Sequence, residues 1–398
     1  MRICFVSRRY FPAISGMSIY AANLLRQLVA GGHDVTMISQ FYGDPDKRRV
    51  YGGGPPPPVP GVRVIGLEAL GEQDGGDFER DIDAMAFAIM REHSAKPFDI
   101  VHAQYGYPTG WAAMIAAKRL RLPCVVSIQG GDGHWVGSCC ETHRLAMERV
   151  LNCAGAVLIG GPSFADEVHQ RLGTAMERFT FVPGAVDTAR FGPGTPSDGP
   201  VRLLYHGRVD RRKGVLDFLE ALARMPDGWT ATISGIGPDY EAACQLAAKL
   251  AVRVAFTGYA DYDSVPALYR EYDVFVSPTH AEGFSNTILE AMASGLAVVS
   301  CRAVGVVDCI RDGENGLLTK PGDVPALAAA LTRVIADRAL RDRLAATAPA
   351  ECRQTYSWEA VGAQIVGVYG SLLGERQAAF DETLPVTPCR FRAEPHLL

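Results

Sequence analysis

One short segment carries two carboxylates eight residues apart, Glu282 and Glu290. The residues after Glu282 predict a loop that ends at Phe284 and a helix from about Ser285 to Ser294. Ser285 is a favourable N-cap, and the glycine that follows Ser294 is a favourable stop. The N–H groups at the start of such a helix are suited to anions. With one carboxylate before the helix and one inside it, the layout suits a phosphate flanked by hydroxyl-rich groups, as in a nucleotide-sugar.

A second segment, residues 205–214, combines glycines with cations after a short apolar run. Gly207 allows close backbone approach at the end of the predicted strand. Arg208 offers a planar fork to phosphate, and Lys213 offers a mobile point charge. Two cations at the mouth of a parallel sheet would neutralise a diphosphate leaving group. The alternative is a solvated basic turn, which is the interpretation we give to Arg211 and Arg212.

The first half of the chain offers weaker candidates. Gly16 precedes a predicted helix and is either a helix-entry glycine or a point where backbone N–H groups reach a phosphate. Asp132 and His134 lie in a glycine-rich stretch after an apolar run, where a side chain could orient a hydroxyl or belong to a surface turn. A dinucleotide fingerprint is missing after the first predicted strand, which disfavours an NAD enzyme.

Short apolar runs alternate with helical patterns along the whole chain, which favours parallel sheets covered on both faces. A linker is predicted at 191–200, which is rich in glycine and proline. Ligands bind beyond the carboxyl ends of strands in such sheets, so two α/β halves could face each other across a cleft. The predicted strands are 3–7, 35–39, 99–102, 124–128, 156–159 and 180–182, then 202–206, 230–234, 254–257, 274–277 and 297–301.

The bulk composition narrows the class of protein. A chain of 398 residues with 48% hydrophobic residues predicts two domains with sizeable cores. A net charge of −5 argues against a nucleic-acid binder. The ten cysteines, with Cys139 and Cys140 adjacent, show neither a disulfide framework nor a zinc spacing, so reduced thiols are expected. The N-terminal residues resemble a buried strand and not a signal peptide, so we expect a cytoplasmic protein. Peripheral contact of the protein with the inner face of a membrane is left open.

Taken together, these motifs resemble those of the retaining glycosyltransferases of family 4, or glycosyl transferases group 1. The resemblance covers nearly the whole chain. The segments that carry it are Gly207-Arg208…Lys213-Gly214, Glu282-Gly-Phe…Glu290-Ala-Met, Val182-Pro-Gly-Ala-Val-Asp187 and Tyr356-Ser-Trp358.

The resemblance implies an α/β protein of the GT-B fold, in which two Rossmann-like doubly wound domains face a central cleft. The first domain would span 1–195 plus a helix at about 358–375 and would take the acceptor. The second, 200–355, would take the donor. Apart from the resemblance, residues 378–398 are polar and contain prolines, so we expect a poorly ordered tail there.

The implied activity is transfer of a hexose-type sugar from a nucleoside diphosphate to a hydroxyl of a glycan, a lipid-linked saccharide or a small metabolite. No metal or further cofactor would be needed. Arg208 and Lys213 would hold the diphosphate, Glu290 the ribose and Glu282 the transferred sugar. Catalytic candidates are thus Arg208, Lys213 and Glu282, and donor-binding candidates are Gly16, Gly207, Gly283, Phe284, Ser285, Asn286 and Glu290.

Two positions depart from the family pattern. Many members carry Gly-Gly in the first loop, where this chain has Gly16-Met17, and many carry a histidine where it has Gln129. A glutamine can donate a hydrogen bond but cannot exchange a proton near neutral pH. The acceptor-side candidates are Gln129, Asp132 and His134.

The alternatives to a glycosyltransferase are a nucleotide-sugar epimerase or a phosphorylase of the same shape, or a non-catalytic subunit that binds nucleotide-sugar.

Overall fold

The computed structural model describes residues 1–47, 49–131, 136–195, 199–375, 379–389 and 392. The chain divides into two compact units. Unit 1 comprises Met1–Pro183 with Val361–Leu398, and unit 2 comprises Gly184–Ala360.

Among the described residues, unit 1 is built on a parallel sheet of seven strands, in the order β3-β2-β1-β4-β5-β6-β7. The order reverses between β1 and β4, which makes their carboxyl ends the switch point of a doubly wound sheet. The strands are β1 Arg2–Ser7, β2 Asp34–Phe41, β3 Val62–Glu68, β4 Ile100–Gln104, β5 Cys124–Ile128, β6 Ala156–Ile159 and β7 Phe179–Phe181.

Helices form most of the connections between these strands, as is usual for parallel pairing. They are α1 Gly16–Ala30, α2 Leu70–Gln73, α3 Phe78–Ala95, α4 Trp111–Leu120, α5 Glu141–Cys153 and α6 Pro162–Leu172. Across the described part of the chain, every helix is too short or too polar to cross a bilayer.

Unit 2 repeats the architecture, and its described strands form a six-stranded parallel sheet in the order β10-β9-β8-β11-β12-β13. Its switch point lies between β8 and β11. The strands are β8 Val201–His206, β9 Trp229–Ser234, β10 Ala255–Gly258, β11 Val274–Ser277, β12 Ala297–Cys301 and β13 Leu317–Thr319. The helices are α7 Val215–Leu222, α8 Tyr240–Lys249, α9 Val265–Arg270, α10 Asn286–Ala293, α11 Val324–Ala336 and α12 Arg338–Thr355.

The core of unit 2 lies on both faces of its sheet. Along β8, Leu203 and Tyr205 pack into the cluster that includes Phe218 of α7. Leu204 points to the other face and packs with Leu289 of α10. This alternation follows from the two-residue repeat of a strand, and burial on both faces explains why β11 and β12 are almost continuously apolar.

The unit boundary differs from the predicted linker at 191–200. The division falls after Pro183, and the following segment packs within unit 2. Phe191 is 2% exposed, and its ring centroid lies 5.7 Å from that of Tyr269. A Gly- and Pro-rich composition predicted a linker, but one aromatic side chain fastens the segment to the core.

The two ends of unit 2 are joined to each other. The Val186 N–H donates to the Tyr356 carbonyl at 2.8 Å, and Val186 forms a parallel bridge with Ser357. The last long helix, α13 Trp358–Leu372, begins at this bridge and continues into unit 1. There the Tyr369 hydroxyl lies 2.5 Å from His102 Nδ1.

The segment 379–389 packs against unit 1, where the sequence predicted a poorly ordered tail. Phe380 is buried, with its ring centroid 4.6 Å from that of Trp111. Glu382 forms ion pairs with Lys118 at 3.1 Å and Arg119 at 2.8 Å. The local composition is polar, and the partners of these residues lie more than 200 positions away, so a local pattern could not reveal the packing.

A buried ion pair lies directly after β1. Arg8 Nη1 lies 2.5 Å from Glu72 Oε1, and both side chains are almost fully buried. The Tyr42 hydroxyl donates to Glu72 Oε2 at 2.6 Å, and Arg8 donates to Gln40 Oε1 at 3.1 Å. The network therefore holds the ends of β1 and β2 against α2.

We expect Glu72→Ala to lower the free energy of unfolding by about 3–5 kcal/mol, because it leaves the Arg8 guanidinium buried without its counter-charge. Urea denaturation of the full chain measures this. Glu148→Ala breaks an exposed pair with Arg144 and is the control, with an expected loss below about 1 kcal/mol. Equal losses in the two variants would contradict the importance assigned to burial.

Candidate functional site

The two motifs predicted from the sequence meet in unit 2 at the carboxyl ends of β8 and β11. Gly207–Gly214 follows β8, and the loop that leads to α10 follows β11. These strands are neighbours at the switch point, where an open sheet leaves a crevice. Lys213 Nζ lies 2.7 Å from Glu282 Oε1, so the cation and the carboxylate form one site.

Two glycines allow the loop after β8 to lie against its neighbour. A Cβ at Gly235 would stand 1.8 Å from the Gly207 carbonyl oxygen, which no side chain tolerates. Gly207 itself has φ +141°, a conformation that favours glycine. This close approach shows a specific need for glycine at position 235.

Arg208 extends from this turn with its side chain half-exposed. Its Nε lies 3.3 Å from Asp210 Oδ2, and the Tyr205 hydroxyl donates to its carbonyl at 2.7 Å. Burial alone would raise the pKa of Asp210, but hydrogen bonds from Arg212 and the nearby guanidinium charges lower it overall. Arg208 is thus held beside a stable carboxylate while its guanidinium stays accessible to an anion.

Arg211 and Arg212 have structural roles in the same turn. Arg211 pairs with Asp239 at 2.6 Å, and Arg212 pairs with Asp210 at 2.7 Å. The sequence suggested a solvated basic turn, whereas the structure shows that each of these arginines forms a specific ion pair. Arg208 and Lys213 stay the candidates for phosphate binding.

The loop that carries Glu282 is fixed by its backbone. The Glu282 N–H donates to the Val304 carbonyl at 3.0 Å. A Cβ at Gly305 would stand 2.6 Å from the Glu282 carbonyl oxygen and 2.8 Å from that of Gly283. Because the loop is held on a second glycine, Glu282 keeps its position beside Lys213.

Helix α10 presents its N-terminus directly after this loop. Ser285 occupies the N-cap position as predicted, but among the described residues its side chain makes no capping hydrogen bond. Its Oγ lies instead 3.2 Å from Thr287 Oγ1. The N–H groups of the first turn, which begins at Asn286, are therefore available for an anion. The positive end of the helix dipole lies at the same place.

Glu290, in the second turn of α10, occupies a much drier environment than Glu282. Burial raises the pKa of Glu290 to about 7, although the Tyr269 hydrogen bond and the Arg190 charge act in the opposite direction. The Tyr269 hydroxyl lies 3.1 Å from Glu290 Oε2. No local signal in the sequence marks a tyrosine that faces a carboxyl 21 positions later.

In unit 1, a glutamine that the sequence did not single out links the ends of three strands. Gln104 accepts from the Ser7 hydroxyl at 2.9 Å. Its amide nitrogen donates to Gln129 Oε1 at 2.9 Å and to the Met17 carbonyl at 3.0 Å. The acceptor-side candidate Gln129 is therefore oriented by Gln104 at the switch point of this sheet.

Gly16 begins α1, and Ser15 caps the helix by accepting from the Ser18 N–H at 3.1 Å. Within the described residues, no atom lies within 4 Å of a Cβ built at Gly16. Packing inside unit 1 therefore does not require a glycine there. Asp132 and His134 lie outside the described residues.

Two histidines at strand ends have structural surroundings. His102 lies between the Ser127 hydroxyl at 2.6 Å and the Tyr369 hydroxyl at 2.5 Å. Burial lowers the pKa of His102 to about 3 and that of His206 to about 4. Both imidazoles are therefore neutral at physiological pH and are poor candidates for proton transfer.

Comparison with known proteins agrees with this geometry. Residues 200–337 match the family described as "Glycosyl transferases group 1", and residues 15–185 match "Glycosyl transferase 4-like domain". A glycogen synthase of Mycobacterium tuberculosis is 30% identical over 414 aligned positions, covering 95% of this chain and 96% of that protein.

Solved structures show the same fold. Sucrose-phosphate synthase from Thermosynechococcus elongatus superposes with a TM-score of 0.76 at 23% identity, over 93% of this chain and 98% of that one. Anabaena HepE in complex with UDP and glucose gives 0.75 at 21% identity, over 94% of this chain and 100% of that one. These neighbours have the GT-B fold, which confirms the predicted fold class of two Rossmann-like domains. With the sequence match over almost its full length, the chain belongs to the group 1, family 4-type glycosyltransferases.

Proposed function

We propose that this enzyme is a retaining glycosyltransferase that moves a hexose-type sugar from a nucleoside diphosphate to a hydroxyl acceptor without a catalytic metal. The observation that carries the proposal is the 2.7 Å pair of Lys213 and Glu282, beside Arg208 and the start of α10. Cations for a diphosphate and a carboxylate for sugar hydroxyls stand side by side. HepE, which shares the fold, was solved with UDP and glucose.

The donor is recognised by complementary charge and hydrogen bonding. Arg208, Lys213 and the N–H groups at the start of α10 contribute positive charge where the diphosphate would lie. Glu282 accepts hydrogen bonds from hydroxyls of the transferred sugar. Glu290 accepts from the ribose hydroxyls, which a buried carboxylate binds strongly because water does not compete.

Transfer with retention requires the acceptor hydroxyl to attack from the face on which the diphosphate leaves. The bond between the anomeric carbon and the diphosphate oxygen breaks, and its electron pair stays with the diphosphate. The new bond forms to the acceptor oxygen, whose proton passes to the leaving phosphate oxygen. Arg208 and Lys213 stabilise the charge that develops there, so a protein nucleophile is not needed.

The acceptor is assigned to unit 1, where Gln104 orients Gln129. A glutamine can position a hydroxyl but cannot take its proton, which agrees with proton transfer to the leaving phosphate. A glycan, a lipid-linked saccharide and a small metabolite all offer suitable hydroxyls. The cytoplasmic location stays a prediction.

The test is a calorimetric panel of UDP, GDP, ADP, TDP and CDP with their common sugars. It is run with no divalent cation added and again with Mg²⁺. We expect one base to bind equally well in both conditions and its sugar to be released slowly by hydrolysis. NMR of the first-formed product should show the anomeric configuration of the donor. Binding that requires Mg²⁺, an inverted product, or no binding to any nucleotide would each contradict the proposal.

Glu290→Gln should weaken binding of the cognate nucleotide by about 1.5–3 kcal/mol, because a charged acceptor of hydrogen bonds becomes neutral. In the wild type, affinity should rise with pH through about 7, since the carboxyl must ionise to accept from both hydroxyls. The variant should lose this pH dependence. Calorimetry between pH 6 and 8 checks both expectations, and Glu241→Gln on α8 is the control.

Tyr269→Phe tests the same carboxyl without altering its charge. The Tyr269 hydrogen bond lowers the pKa of Glu290, so its removal should move the midpoint of the pH dependence upward. The ring, which packs against Phe191, is retained. An unchanged midpoint would show that Glu290 does not control nucleotide affinity.

Glu282→Ala should reduce turnover far more than it reduces affinity for the nucleoside diphosphate, because its partner is the sugar. Arg208→Ala and Lys213→Ala should each cost about 2–4 kcal/mol of transition-state stabilisation. Single-turnover kinetics and calorimetry separate these effects. Arg212→Ala removes a charge from the same turn and is the matched control, so an equal loss there would indicate a purely structural role for all of them.

A further inference from the structure

Three cysteines and one histidine from distant parts of the chain meet in unit 1, away from the sites described above. Cys139, Cys140 and His143 lie at the start of α5, and Cys389 comes from the tail segment. Among the described residues, the ligand atoms of these four all lie within 4.8 Å of one another. Cys140 Sγ lies 2.8 Å and Cys389 Sγ 3.6 Å from His143 Nδ1.

We propose that these four residues bind one zinc ion, as a structural site that fastens the tail to unit 1. Three thiolates and one imidazole form a ligand set that zinc takes in closed, tetrahedral sites. Zinc–sulfur and zinc–nitrogen bond lengths place such ligand atoms about 3.6–3.8 Å apart. The observed separations span this value, so rotations of side chains that are only partly buried would complete the geometry.

The local backbone explains how two of the ligands, Cys140 and His143, come together. Cys140 is the N-cap residue of α5, and His143 lies three residues later on the same face of the first turn. The imidazole is held by aromatic rings, with its centroid 4.7 Å from Tyr107 and 5.7 Å from Phe78. Its Nδ1 is thereby directed toward the sulfur atoms.

The tail brings the fourth ligand through contacts on either side of Cys389. The Thr387 N–H donates to Thr142 Oγ1 at 2.9 Å, and Thr142 donates to the Pro385 carbonyl at 2.5 Å. Beyond the cysteine, Arg392 pairs with Glu79 of α3 at 2.6 Å. These hydrogen bonds and the ion pair hold the tail segment against unit 1, and they therefore position Cys389 beside the other three residues.

All four positions around the ion are filled by protein atoms, which is typical of structural and not catalytic zinc. Cys139 lies five residues after His134, which is the last of the acceptor-side candidates. The zinc site would therefore restrain the chain close to these candidates. The sequence predicted no metal because the Cys-Cys-x-x-His spacing is incomplete without Cys389, 246 residues beyond His143. This site is independent of the metal-free chemistry proposed for donor transfer.

The test begins with the full-length chain purified under reducing conditions without chelator. Elemental analysis should find one zinc per chain. After zinc removal, titration with Co²⁺ should produce the visible absorption of tetrahedral cobalt thiolate. Cys389→Ser should weaken Co²⁺ binding by more than about 100-fold, since loss of a group that merely supports a ligand already costs 10–100-fold.

Cys153→Ser is the matched control, because Cys153 also contacts the tail, with its Sγ 3.3 Å from the Ala379 carbonyl, but lies outside the cluster. It should keep its zinc. A far-UV circular dichroism spectrum of Cys389→Ser that matches the wild type would show that the variant is folded. The proposal is overturned if the reduced wild type holds no zinc and binds no Co²⁺, if Cys389→Ser binds as well as the wild type, or if Cys140 and Cys389 form a disulfide that reductant converts only to metal-free thiols.

Discussion

The candidate site in unit 2 depends on how closely two strand ends approach each other. The Gly207 carbonyl lies where a side chain at Gly235 would have to stand, and Gly207 adopts a backbone conformation that favours glycine. Because both positions are glycine, the loop after β8 can pack closely against the residues that follow β9. This packing places Arg208 and Lys213 near the end of β11. Without this approach the cations would have no fixed relation to Glu282.

The two carboxylates of the site show how environment gives different properties to the same chemical group. Glu282 is compensated by a cation and is partly accessible, which suits contact with a substrate hydroxyl beside a phosphate. Glu290 is desolvated, and its pKa rises to about 7, so its charge depends on small changes in its surroundings. Tyr269 is one such influence, and it reaches Glu290 from a different helix.

The sequence predicted the fold class and the two motifs because both are local patterns. Alternation of strands and helices predicts parallel sheets, and the structure brings Lys213 and Glu282 of the two motifs together. The roles given to the site residues stay predictions. Gln104, Tyr269 and the docking of Phe380 depend on partners far along the chain, and composition carries no trace of such contacts. The predicted linker was displaced for the same reason, since only tertiary packing distinguishes Phe191 from its Gly- and Pro-rich neighbours.

The hydrogen bond between Val186 and Tyr356 has a consequence for the order in which the protein assembles on the ribosome. Unit 2 is one continuous stretch whose ends are paired with each other, so all of its contacts are available once residue 360 has emerged. Unit 1 is made of two pieces, and Tyr369 and Phe380 must arrive before His102 and Trp111 acquire their partners. The half that is synthesised first is therefore completed last, and the surroundings of His102 and Trp111 lack these partners while the inserted unit folds.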